Sequence, residues 1–150
     1  MKPLVFTALV AWFTLPLSFA SLGGIESSVQ QDQNQFQGSQ ANFYRHPNYR
    51  VHEITQDRLA VREFVSLDGK VFAIAWKGPA HPDLSTLLGD HFQDYKAAME
   101  GSRSQRHGRA PFSTVKNGLH IELGGHTRAI NGRVWIPSLV PGGFDVNEIK

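Results

Sequence analysis

The chain has 150 residues, with 15 basic and 13 acidic side chains, seven histidines and no cysteine. That length suits one domain, and the missing cysteine excludes a disulfide scaffold, thiol catalysis and thiolate zinc sites. A formal charge of +2 supplies no electrostatic pull toward nucleic acid.

The first twenty residues have the layout of a secretory signal. Lys2 gives a positive start, Leu4 to Leu15 form an apolar run, Pro16 breaks it, and Ser18-Phe19-Ala20 offers small residues where a signal peptidase reads. Cleavage is expected between Ala20 and Ser21, which makes the mature protein periplasmic or secreted. The competing reading, a membrane anchor, needs about 20 uninterrupted apolar residues, and Pro16 and Ser18 end this run sooner. No stable membrane insertion is expected after cleavage.

Residues 21–43 form a polar lead-in ahead of a domain spanning 44–150. Ile25, Val29 and Phe36 recur as on one face of a short helix. The Gln, Ser and Asn content fits a disordered segment equally well.

Strands follow. Leu59 to Ser66 and Lys70 to Lys77 flank Asp68-Gly69, read as a two-residue hairpin turn. That turn sets Val65 opposite Phe72, Glu63 opposite Ile74 and Val61 opposite Trp76, so Glu63 projects from the more apolar face. Tyr49 to Thr55 is expected to pair with the same hairpin in one of two registers. One brings Arg50 and His52 to the side of Glu63, and the other brings Val51 and Glu53.

Gly78-Pro79 ends this sheet segment. Leu84, Leu87, Leu88, His91, Phe92, Tyr95 and Met99 then keep helical spacing, which predicts one main helix over about 83–100. Asp83 or Ser85 caps its start and Gly101 suits its stop, while Gly89 inside it suggests a close approach to the sheet. Residues 101–111 read as a solvated basic connection, with Arg103, Arg106 and Arg109.

Three short strands are expected beyond it, punctuated by Asn117-Gly118, Gly124-Gly125 and Asn131-Gly132. With tight turns there, Leu119, Ile121 and Leu123 share a face with His126, Arg128 and Trp135. The tail from Ser138 to Lys150 is expected to run over the surface.

These segments resemble the secreted bacterial family called domain of unknown function 2844. The matching pieces are Leu22-Gly23-Gly24, Val51-His52-Glu53, Val61 to Ser66, Val71 to Trp76 with Gly78-Pro79, Pro82-Asp83-Leu84, and Leu87-Leu88-Gly89. Gly124-Gly125-His126, Arg128-Ala129, Gly132-Arg133, Pro137 and Pro141 complete them. The resemblance covers nearly the whole mature chain and implies an exported, periplasmic protein. It brings no established activity.

The chemistry-bearing motifs are few. No HExxH, no i,i+4 histidine pair and no phosphate loop occurs, and no GxSxG elbow surrounds Ser66 or Ser113, so neither a metal nor a cofactor is expected. The surviving constellation is Glu63, His126 and Arg128, with His52 or Arg50 as a fourth member and Trp135 as a stacking surface. A carboxylate on an apolar face requires a partner, and Arg128 offers a bidentate fork. The pairing Glu63–Arg128 is therefore expected where the two strand groups meet, either as an interior ion pair or as part of a ligand site.

The sequence thus predicts an α+β fold, an antiparallel sheet of five to six strands in two meanders packed on one main helix. It reads as an exported, non-enzymatic binding or accessory module for a small polar ligand or an envelope protein. A small acid/base enzyme using Glu63 and His126 is the first alternative. A module that binds a partner through a sheet edge is the second.

Overall fold

The computed structural model describes residues 21–26, 40–102 and 111–150. The expected signal segment, residues 1–20, most of the lead-in and the core of the basic connection lie outside the described residues. Seven strands build one antiparallel sheet: β1 (Gln40–Arg45), β2 (Tyr49–Gln56), β3 (Leu59–Ser66), β4 (Val71–Gly78), β5 (Phe112–Lys116), β6 (Leu119–His126) and β7 (Ala129–Trp135). Their spatial order is β1-β2-β3-β4-β7-β6-β5, so two meanders join along β4 and β7. The α+β class holds, but the strand count is seven rather than five to six. The additional strand is β1, whose polar QANFYR sequence gives no alternating apolar signal and begins inside the expected lead-in.

The β3–β4 hairpin differs from expectation at its tip. Its loop is Leu67-Asp68-Gly69, with Gly69 at φ 82° and Ser66 N–H bonded to the Lys70 carbonyl. The register then shifts between Phe64 and Val65, so Val65 faces Val71 instead of Phe72. The bulge restores the displaced residue, and Glu63 still faces Ile74 and Val61 still faces Trp76.

Asn117-Gly118 is a tight turn as expected, with both residues at positive φ. Gly124-Gly125 and Asn131-Gly132 instead lie within β6 and β7, and the hairpin closes at Thr127-Arg128. Close packing explains glycine at both sites. A Cβ on Gly125 would sit 2.1 Å from the Ala129 carbonyl oxygen, and one on Gly132 would sit 2.2 Å from the Trp76 ring.

The helical segment is broken. Asp83 caps α1 (Leu84–Leu88) by accepting from the Ser85 and Thr86 amides; a 3-10 turn spans Gly89–His91, and α2 runs Phe92–Gly101. The interruption has a local cause: Gly89 adopts φ 50° and Ser21 packs directly on it. The close approach is therefore to the start of the described chain, not to the sheet.

Each face of the sheet is covered. Val61, Ile74, Trp76, Ile121 and Val134 meet Leu84, Leu87, Leu88 and Tyr95 on the helix face, with Leu22 inserted beside them. On the opposite face Val51, Phe64, Phe72 and Trp135 pack under Phe144, Val146 and Ile149. The tail does not simply run over the surface, because Ile149 is fully buried and closes this second core. Burying each such side chain contributes about 1.5–3 kcal/mol. No helix among the described residues is long and apolar enough to cross a membrane.

Candidate functional site

The register of β2 settles the face of each candidate residue. His52 pairs with Glu63, and Glu63 with Ile74, so Arg50, His52 and Glu63 share the helix face. Glu63 is fully buried there. His52 and Arg50 both engage Glu26, through Nε2 to Oε1 and Nη2 to Oε2, each at 2.9 Å. The Phe43 ring covers His52 at 4.8 Å between centroids.

These contacts fasten the segment Ser21–Glu26 to the sheet, together with backbone bonds from Gly23 to Val71 and from Glu26 to Gly69. Glu26 lay outside the candidate set, since a carboxylate in a polar lead-in carries no signal of its own.

The other candidates lie elsewhere. His126 and Arg128 are exposed at the β6–β7 turn, where Arg128 takes φ 68° and the His126 ring bonds the neighbouring Thr127 carbonyl. Arg128 falls six residues beyond Val134, which shares the cross-strand row of Glu63; at about 3.3 Å per residue that is roughly 20 Å along the strand. The expected Glu63–Arg128 pairing is not formed.

Trp135 sits on the tail face, flanked by His120 at 5.0 Å and by the Arg133 guanidinium at 5.4 Å. His126 also has its strand position on that face. Of the expected constellation, the structure groups Arg50, His52 and Glu63 on the helix face and sets His126, Arg128 and Trp135 apart from them.

Among the described residues a cleft of about 870 Å³ lies on the tail face, where β3, β4, β7 and β6 run beneath the end of the tail. Its floor is Ala60, Ala75 and Gly124, positions whose side chains stop at Cβ or before it. Arg62, Lys77, Asn131 and Arg133 rise around that floor, with Asn147 contributed by the tail.

Two of these cations are built into the scaffold. Arg62 reaches the Glu53 carboxylate on β2 at 2.5 Å and the Lys150 carbonyl at 2.7 Å. Arg133 binds Glu122 across β6 at 2.7 Å and the carbonyls of Val146 and Ile149 at 2.9 and 3.2 Å. Both pairs follow from the strand register, which sets Glu53 opposite Arg62 and Glu122 opposite Arg133. A correct register would have exposed them in the sequence.

Electrostatics around the tail are correspondingly well defined. Burial pushes the Glu53 carboxyl up, but the Arg62 guanidinium, with Asn42 and Tyr44, more than reverses this and holds it below the usual range. Tyr49 donates its hydroxyl to Glu148 on the tail. Burial, reinforced by that carboxylate, pushes the Tyr49 phenol up to about 12. Among the described residues no three His, Asp or Glu side chains converge as a metal ion would require.

This sheet, pinned on one face by a short helical pair and on the other by its own tail, belongs to a recognised family. The chain is a member of the family described as protein of unknown function (DUF2844), whose model matches residues 18–149. No curated protein and no solved structure matches it.

Proposed function

We propose that this family member is an exported, non-enzymatic binding module and that the tail-face cleft holds its small polar ligand. One observation carries the reading. A cleft of about 870 Å³, within the range of small-molecule sites, opens over a floor with almost no side chains, and fixed guanidinium groups frame it. Such preformed concavity favours binding, because its walls are ordered before a ligand arrives. Export is supported by the layout of residues 1–20. The acid/base reading gains no such support, since Glu63 is buried under the helices while His126 is exposed at a hairpin end on the other face.

Trp135 lies beside Arg133 on the face of the cleft, so ligand entry should alter indole emission. The test is titration of the mature protein with neutral and acidic envelope glycans and with divalent metals, following tryptophan fluorescence. A saturable change with a glycan, lost when Ala60→Trp fills the floor, is the expected result. No change with any of them overturns the proposal.

A further inference from the structure

We infer that the cleft takes an acidic sugar or a sugar phosphate, whose single anionic group is received by Lys77. This rests on the binding reading above and specifies its ligand.

Charge supplies the first argument. Four basic side chains, Arg62, Lys77, Arg133 and Lys150, line the cleft against one acidic side chain, Glu122. These cations are not equivalent. Arg62 is tied to Glu53 and to the tail backbone, and Arg133 to Glu122 and two tail carbonyls. Their carboxylate partners already supply the negative charge they face. Lys77 and Lys150 are both exposed and form no ion pair with any described residue, but Lys77 rises from β4 beside the floor whereas Lys150 lies on the tail. An ammonium on a flexible stem is a compact point charge that accepts carboxylate or phosphate alike, without the planar match a guanidinium demands.

Position supplies the second argument. Lys77 stands between Ala60 on β3 and Asn131 on β7, at the edge of the bare floor. The Asn131 amide lies over Gly124, where its Oδ1 would be 3.0 Å from a Cβ on that glycine. A ring resting beside Ala60 thus meets apolar strand surface below, with the amides of Asn131 and Asn147 and the hydroxyl of Ser113 among the lining groups. Those are partners for sugar hydroxyls. The volume suits a small molecule of monosaccharide or disaccharide size.

The test is isothermal titration of the mature protein and of Lys77→Gln with glucuronate, glucose 6-phosphate and glucose. Lys77 is exposed and makes no ion pair with a described residue, so the variant should fold; its unchanged Tm checks this. At least one anionic probe should bind about tenfold or more tightly than glucose, and Lys77→Gln should erase that advantage. Which of the two does so distinguishes a carboxylate ligand from a phosphate ligand. Equal affinity for glucose, or an advantage that survives the substitution, overturns the inference while leaving the cleft a binding site. Absence of heat with all three overturns it too, and the wider fluorescence titration then decides the binding reading separately.

Discussion

Arg62 on β3 and Glu53 on β2 face each other across the sheet, and the same guanidinium holds the carbonyl of Lys150. This one side chain therefore links the second core to the tail that covers it. Glu53 is held below its ordinary value of 4.5, so in acid the native state binds fewer protons than the unfolded chain. The stabilisation is complete above about pH 4.5 and is lost as the pH falls through the lower native value. Urea midpoints measured from pH 7 to pH 3 should fall more steeply for the wild type than for Glu53→Gln. Parallel curves would show that the pair contributes nothing to acid stability.

Gly89 and Ser21 make the next prediction. A Cβ at Gly89 would lie 2.4 Å from the Ser21 Cβ, on a backbone already at φ 50°. Gly89→Ala adds left-handed strain to an overpacked contact, so a loss of about 2–4 kcal/mol is expected. Thermal unfolding measures the loss. Hydrogen exchange should place it at the amides of Leu22 and Gly23, which bond Leu87 and Val71. A change confined to α2 would refute this account.

The sequence carried much of the sheet because its strands are bounded by strong turn residues and hold long apolar runs. Val71 to Trp76 is an example, and it is buried throughout. β1 escaped notice because an edge strand paired on one side needs little apolar character. The site was less legible. Reading Gly124-Gly125 and Asn131-Gly132 as turns folded the second meander wrongly and carried Arg128 toward Glu63. Glycine has two uses, positive φ and close approach, and sequence alone does not separate them. Arg62 and Arg133 stayed hidden for a related reason: their partners are cross-strand neighbours, visible only once register is known.

Glu26 is the anchor for Arg50 and His52, each at 2.9 Å. Glu26→Ala removes both contacts from a partly exposed carboxylate, and a cost of about 1 kcal/mol is expected. The local effect should exceed the global one. Exchange at the Glu26 amide, which bonds Gly69, should quicken while the β4 amides stay protected. Equal acceleration in both would mean the segment does not open independently.

Tyr49 gives a spectroscopic reading of the tail. Its phenol is pushed up to about 12 by burial and by Glu148, above the ordinary 10.0. Because the native value is raised, the stabilising contribution is full below pH 10 and disappears as the pH rises through about 12. Tyrosinate absorbance should therefore show one late phase. Glu148→Gln should move that phase to lower pH, and Tyr49→Phe should remove it. A late phase persisting in Tyr49→Phe would assign it to Tyr44 or Tyr95 instead.

Ile149 couples the tail to the proposed ligand. It is fully buried against the second core and also lines the cleft. Ile149→Ala leaves a cavity under the last turn, which predicts a loss of about 2–4 kcal/mol. The same substitution loosens the two carbonyl contacts through which the tail fixes Arg133. Ligand affinity should then fall even at temperatures where the variant stays folded, because a wall of the cleft is less ordered. Ile149→Val retains most of the packing and should keep affinity near that of the wild type. Stability and affinity can thus be read on the same two variants. If Ile149→Ala unfolds at lower temperature yet binds unchanged, the tail covers the core without shaping the site.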